Sequence, residues 1–174
     1  MEKILKADLT TERIEVLDYE PKSWGCYGRG LALKLVASSV PHYAGRYSPE
    51  NAIALVPGIL TGCKVASCCR VTIASKRGKG EGLQVCNVSG NLPQKMASLS
   101  IAGLLICGKS TEKNAVLHIG EDSAEIIHMP ELERKDTGTV VERLKKRFGA
   151  DAAILGGGKA ADMQLSLSTF FCTY

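Results

Sequence analysis

The stretch Arg70-Val71-Thr72-Ile73-Ala74-Ser75-Lys76-Arg77-Gly78-Lys79-Gly80-Glu81-Gly82-Leu83-Gln84-Val85-Cys86-Asn87-Val88-Ser89-Gly90-Asn91 reads as one β-hairpin. Residues 71–74 form an apolar run of strand length. Residues 76–82 are a basic, glycine-rich loop that punctuates it, and residues 83–88 are the return strand. Ser89-Gly90-Asn91 then breaks the strand. A hairpin implies antiparallel pairing, which sets the start of the first strand beside the end of the second. Arg70 and Asn87 are therefore expected at the same end of the sheet, one or two strand spacings of ~4.8 Å apart.

Working outward, residues 4–8 and 13–18 read as a second hairpin around Thr10-Thr11-Glu12, with Ile14 and Val16 alternating with charges. Residues 21–30 read as an aromatic- and glycine-bearing loop. Residues 31–40 place Leu31, Leu35, Val36 and Val40 on one helical face, stopped by Pro41. Residues 52–56 are a buried-type strand ended by Pro57-Gly58, followed by a small-residue loop at 60–68. Residues 92–99 predict a short helix and 104–107 a strand closed by Gly108. Residues 116–119 and 125–128 pair around a turn. Residues 137–148 are the clearest helix, with Thr137 or Thr139 as cap, a Val140, Val141, Leu144, Phe148 stripe, and Gly149 as terminator. Residues 152–155 read as a strand and 163–171 as extended. The sum is an α+β chain of mostly antiparallel strands with a few short helices.

At 174 residues, 45% hydrophobic and 23% charged, the expectation is one soluble domain. The net charge of +4 suits an anionic ligand but is too weak to argue for nucleic acid. The basic loop at 76–80 has no neighbouring aromatics on which bases could stack. No uncharged apolar run reaches membrane-spanning length, and the first residues lack the regions of a signal peptide, so a cytoplasmic setting is expected. The seven cysteines are then expected as thiols. Cys63, Cys68 and Cys69 form a C-x4-C-C run; no C-x2-C pair exists, and no iron–sulfur cluster is expected on this chain. The apolar, aromatic end Phe170-Phe171-Cys172-Thr173-Tyr174 reads as cut from a longer chain or made to dock into a partner.

Three segments carry binding chemistry. Gly28-Arg29-Gly30 opens a helix, where bare amides and the positive dipole end suit phosphate or carboxylate. Thr61 to Arg70 is small and polar; it ends on a guanidinium that can bind an anion bidentately. Asn87 offers a neutral carbonyl oxygen for a hard cation. His42, His118 and His128 are scattered and form no triad. Gly156-Gly157-Gly158 lacks the spacing of a dinucleotide loop.

The order Gly28-Arg29-Gly30-Leu31-Ala32, then Ser48-Pro49-Glu50-Asn51, then Pro57-Gly58-Ile59-Leu60-Thr61-Gly62 resembles the N-terminal domain of the tungsten-containing aldehyde ferredoxin oxidoreductases. Arg70, Asn87-Val88-Ser89-Gly90 and Leu104 to Lys109 continue the likeness, which spans residues 4–171. The resemblance implies a cofactor-base domain of paired β-sheets on which a tungsten or molybdenum pyranopterin sits. It implies Arg70 as the cation between pterin and cluster, and Asn87 as ligand of a Mg²⁺ joining the pterin phosphates. It also implies that the Ser89-Gly90 backbone faces pterin. Arg29 and Gly30 join this expected cofactor-binding set.

The family's loop after GPLTGT runs through small residues, whereas this one carries Cys63, Cys68 and Cys69, and Gly90-Asn91-Leu92-Pro93 replaces a Gly-Gly-Tyr-Phe type continuation. A second pterin-contacting loop and the C-x2-C-x3-C cluster ligands of the family lie in segments this sequence does not contain. The resemblance therefore implies part of a site. The remaining catalytic domains or a partner subunit would complete an enzyme that oxidises aldehydes to carboxylates. That enzyme would hold a 4Fe-4S cluster and pass electrons to ferredoxin. No catalytic residue is expected here, and self-association to a dimer or larger homo-oligomer is expected. Two other readings stay open: a stand-alone, non-catalytic module for pterin or another anionic ligand, and a thiol metal-binding protein using Cys63, Cys68, Cys69 and Cys86.

Overall fold

A computed structural model describes residues 2–63, 65–77, 80–165 and 167–174. The strands are β1 (Lys3–Asp8), β2 (Arg13–Asp18), β3 (Ala52–Pro57), β4 (Arg70–Lys76), β5 (Leu83–Ser89), β6 (Ile101–Cys107), β7 (Ala115–Ile119), β8 (Ala124–His128), β9 (Leu155–Gly157) and β10 (Phe170–Cys172). The helices are α1 (Pro21–Trp24), α2 (Gly28–Ser39), α3 (Leu92–Ser98), α4 (Thr137–Phe148) and α5 (Lys159–Asp162).

The antiparallel α+β class expected from the sequence is the one observed. Its sheets are one six-stranded sheet, in the order β2-β1-β6-β3-β4-β5, and two ribbons, β7-β8 and β9-β10. Every pairing is antiparallel except β1 with β6, which is parallel. Strands β3 and β6 lie inside the sheet with both faces covered, which is why they read as continuous apolar runs.

One face is covered by α2, whose Leu31, Ala32, Leu35 and Val36 pack on Ile4, Ala54, Val56, Ala74 and Leu105. Each fully buried leucine or valine there contributes about 1.5–3 kcal/mol. The other face packs Leu5, Leu55, Val71, Ile73 and Leu104 against Met96 of α3, Leu117 and Ile119 of β7, and Leu155 of β9. A third cluster lies under α4, around Met129, Leu132, Leu144 and Ile154. Alternate residues of β4 therefore belong to different layers. Val71 and Ile73 enter the α3 side, while Ala74 packs toward α2.

At one end of the sheet, Lys76 is buried and gives its Nζ to the carbonyls of Pro41, at 2.9 Å, and His42. A cation just beyond the C-terminus of α2 opposes the negative end of the helix dipole. Asn51 ties the same end together. Its Nδ2 donates to the carbonyls of Arg46 (2.8 Å) and Lys76 (3.1 Å), and its Oδ1 accepts from the Ala52 and Lys76 amides.

Four local expectations are corrected. The cap of α4 is Asp136 rather than Thr137 or Thr139; its carboxylate accepts from the Thr139 amide at 3.0 Å and the Thr139 hydroxyl at 2.6 Å. Among the described residues of 163–171 the run is not extended throughout: the chain turns at Gln164, with φ +55°, and the strand covers only Phe170–Cys172. The strand expected at 152–155 begins at Leu155 and runs into the glycines. The loop at 21–30 contains α1, and α2 starts three residues early, at Gly28, because glycine there accepts a φ of +50°. Among the described residues, no helix is long and apolar enough to cross a membrane.

Candidate functional site

The sheet end opposite Lys76 gathers the start of β1, the ends of β2, β3 and β5, and the starts of β4 and β6. The hairpin register places Arg70 opposite Ser89 and Thr72 opposite Asn87. Paired residues share a face, so Arg70, Thr72, Asn87 and Ser89 all stand on the α2 side of the sheet. Arg70 and Asn87 are diagonal neighbours on adjacent strands, a spacing of roughly 7–8 Å between backbones. The convergence expected from the hairpin is thus present as geometry.

The electrostatics of this corner are one-sided. Arg70 is exposed, and no carboxylate pairs with it among the described residues. The Thr72 hydroxyl donates to Asn87 Oδ1 at 2.9 Å. That bond orients the amide oxygen and uses one of its two acceptor positions. The Gly58 amide donates to the Arg70 carbonyl at 2.9 Å, which ties the loop after β3 to the start of β4.

Beside this corner lies a cavity of about 540 Å³, walled by Glu2, Tyr19, Gly28, Gly62, Gln94 and Ser100 among others. The first turn of α2 meets it through Gly28. No side chain caps that helix end; the Gly30 amide donates to the Tyr27 carbonyl at 3.0 Å, which leaves the Gly28 and Arg29 amides beside the positive dipole end. Arg29 and Gly30 are exposed and lie outside the cavity wall, as do Arg70 and Asn87. Gly62 has φ +89°, and a Cβ there would stand 2.9 Å from Ala97 Cβ. Only glycine lets this loop pack on α3. Tyr19 is buried, donates to the Cys26 carbonyl at 2.8 Å and meets the Tyr27 ring edge-on. Burial, with Tyr27 beside it, pushes its phenol up to about 12. It serves as a neutral wall of the cavity, not as a base.

Gly90 packs against the end of the chain, and Ser89, though exposed, meets it at one hydroxyl. The Asn91 amide donates to the Thr173 carbonyl at 3.0 Å, and the Ser89 and Tyr174 hydroxyls are 3.2 Å apart. Gly90 has φ +143°, and a Cβ would lie 2.5 Å from the Thr173 carbonyl oxygen. In this arrangement Gly90 is required by chain packing. The aromatic end, expected from the sequence to be cut from a longer chain or to dock into a partner, packs instead on this chain itself: Phe170–Cys172 pairs with Leu155–Gly157, and Thr173 bonds Asn91.

The cysteine-rich loop has a structural explanation. The Cys68 thiol stands 3.1 Å from the Leu60 carbonyl and 3.0 Å from the Val65 carbonyl and shares its one proton between them. Cys69 Sγ accepts from Gln94 Nε2 at 3.2 Å. Desolvation and the neighbouring Cys69 thiol hold Cys68 above its ordinary value, so it stays a protonated donor. Among the described residues, no group of three or more His, Cys, Asp or Glu side chains is placed to hold a metal ion. The reading of Cys63, Cys68, Cys69 and Cys86 as one thiolate metal site is corrected accordingly; Cys86 lies on β5, away from the loop.

The profile of the aldehyde ferredoxin oxidoreductase N-terminal domain matches residues 4–174. The chain belongs to this family. A tungsten-containing aldehyde ferredoxin oxidoreductase of Thermococcus kodakarensis is 25% identical to it over 152 residues, covering 86% of this chain and 25% of the relative. Among solved structures, the active site complex BamBC of benzoyl coenzyme A reductase, with 1,5-dienoyl-CoA, aligns with a TM-score of 0.83 and 25% identity. That alignment covers 91% of this chain and 24% of the other. The chain thus spans about a quarter of the length of each. Within the family domain, the corner formed by Arg70 and Asn87 and the adjoining cavity can hold an anion. No activated nucleophile or acid–base pair faces them among the described residues.

Proposed function

We propose that this chain is the cofactor-holding base of an aldehyde ferredoxin oxidoreductase-type enzyme, with no catalytic residue of its own. The observation that carries this reading is the placement of an unpaired guanidinium, Arg70, and an oriented neutral oxygen, Asn87 Oδ1, on one face and one end of adjacent strands. When bound, a tungsten or molybdenum pyranopterin would supply the redox chemistry, oxidising an aldehyde with water to a carboxylate and releasing three protons and two electrons.

The donor set fits such a phosphate-bearing group. Arg70 holds a phosphate by charge and paired donors. Asn87 Oδ1 keeps one acceptor position free after Thr72, which suits a neutral ligand of Mg²⁺. The open amides at Gly28, with Arg29 and Gly30 beside them, add to the anion-seeking field. Ser89 and Gly90 come into contact once Thr173 and Tyr174 withdraw from them. The remaining domains, or a partner subunit, supply the second half of the cofactor pocket, the substrate groups, the 4Fe-4S cluster and the docking site for ferredoxin. A reducing, cytoplasmic setting agrees with seven free cysteines.

The test is nuclear magnetic resonance mapping of the full chain titrated with a pyranopterin monophosphate and Mg²⁺. Amide shifts are expected at Gly28 to Gly30, Gly62, Arg70 and Asn87 to Gly90. Shifts confined to other regions, such as the Arg77 to Gly82 loop, would overturn the assignment.

A further inference from the structure

We infer that this protein carries a further binding site, for a neutral and largely apolar molecule with a carbonyl oxygen, between the α3 face of the six-stranded sheet and the layer formed by β7, β8 and α4. A cavity of about 930 Å³ lies there. Its sheet side is built from Leu55 of β3, Met96 of α3 and Leu104 of β6, and its other side from Leu117 of β7 with Leu144 and Phe148 of α4. Close-packed interiors leave few voids larger than a water molecule, whereas sites for small ligands occupy about 300–1,000 Å³. The space lies between two layers of one domain, so its shape suits a small molecule and not the flat face of a docked protein. Arg70 and Asn87 stand on the opposite, α2 side of the sheet, and the site owes nothing to them.

The lining sorts by polarity. Leu55, Met96, Leu104 and Leu144 are buried and form the apolar walls. The charged side chains along the cavity, Lys95, Lys135, Glu121, Asp151 and Asp162, are all exposed and belong to its rim. Two cations against three carboxylates leave no positive excess to attract an anion, and a buried charge on the ligand would find no partner on the walls. The ligand is therefore neutral.

Asn114, which also lines the cavity, supplies the polar handle. It stands just before β7 with φ +54°, a conformation asparagine adopts more readily than most residues, and its carbonyl accepts from the Met129 amide at 3.0 Å. Its side chain is not used in that turn. Asn114 Nδ2 is buried and has no hydrogen-bond partner among the described residues. A buried amide donor without an acceptor costs free energy, which an oxygen of a ligand recovers. His118, on the same wall, is already engaged: its Nδ1 lies 3.2 Å from Glu125 Oε1, and its ring stacks on Phe148 at 4.3 Å between centroids. Apolar walls with one unpaired donor select an apolar body with one acceptor. A carbonyl oxygen accepts without bringing a donor of its own into the site.

The experiment titrates the full chain with prodan, a neutral naphthyl ketone whose emission moves to the blue in an apolar site. Saturable binding of one molecule per chain is expected, with a blue shift. Methyl resonances of Leu55, Leu104, Leu117 and Leu144 should move during the titration. Asn114→Gly removes the amide and keeps a residue suited to φ +54°. It should weaken prodan by about fivefold, the scale of one neutral hydrogen bond. Dimethylaminonaphthalene, the parent without the ketone, should bind the natural sequence and Asn114→Gly equally. Binding that does not saturate, or methyl shifts confined to exposed residues away from the cavity such as Ile59 and Leu60, would overturn the inference. An equal loss of both probes in Asn114→Gly would overturn the role of the amide. The methyl mapping needs no variant, so it decides the site even where Asn114→Gly perturbs the fold.

Discussion

Asn51 shows how one side chain can organise a whole end of the molecule. It closes the segment before β3, holds the Arg46 carbonyl, and pairs with both backbone groups of Lys76. Its residue type is specified by this arrangement, because the amide nitrogen faces two carbonyls and the oxygen faces two amides. Asn51→Ala leaves these groups unpaired and is expected to cost about 2–3 kcal/mol, read as a lower urea midpoint at unchanged slope. Asn51→Asp, of nearly the same size, should be at least as damaging, since it turns an acceptor toward the Arg46 and Lys76 carbonyls. A midpoint unaltered in both variants would remove Asn51 from this role. The Ser48-Pro49-Glu50-Asn51 motif thus acts, at its last residue, on the fold at the sheet end away from Arg70 and Asn87. Arg70 and Asn87 are the reverse case. Their proximity follows from a hairpin register, so the residue pattern by itself is enough to bring them together. The cavity beside them is not legible in this way, because Glu2, Tyr19, Gly28, Gly62, Gln94 and Ser100 come from six separate segments.

At the level of elements, α4 is legible end to end because its apolar stripe has helical spacing and its last turn is basic. Its cap is not, because Asp136, Thr137 and Thr139 are all capping residue types, and only the geometry selects among them. The Asp136 carboxyl is held below its ordinary 3.8 by bonds from the Thr139 hydroxyl and amide. A carboxyl whose folded pKa is depressed stabilises the fold above its unfolded pKa. That contribution is lost as the pH falls below 3.8 and through the lower folded value. Amide exchange in the first turn of α4 should therefore accelerate on acidification in that window. Asp136→Ala should exchange fast already at neutral pH and show a smaller acid response. Equal protection in both proteins at neutral pH would contradict the cap. Helix α5 escapes the sequence pattern because a four-residue helix carries no periodicity to read. The apolar and aromatic run around it therefore reads as one long strand, whereas the chain turns at Gln164 before β10.

For the whole molecule, the parallel pairing of β1 with β6 is the step that local signals do not specify. Both strands are apolar runs, but their neighbourhood is settled by packing between residues about a hundred positions apart. That pairing brings Glu2 and Ser100 to the same sheet end as Arg70, Ser89 and the start of α2, and so creates the site as a place. The proposed role has Arg70 and Asn87 act together on one phosphate-bearing ligand. The most direct test is equilibrium dialysis of the full chain with pyranopterin monophosphate, with and without Mg²⁺. Mg²⁺ is expected to tighten binding to the natural sequence by about tenfold, the scale of one well-placed charge-assisted contact. That gain should vanish in Asn87→Leu, while Arg70→Ala weakens binding under both conditions. Binding that ignores Mg²⁺ and is equally tight in both variants would contradict it.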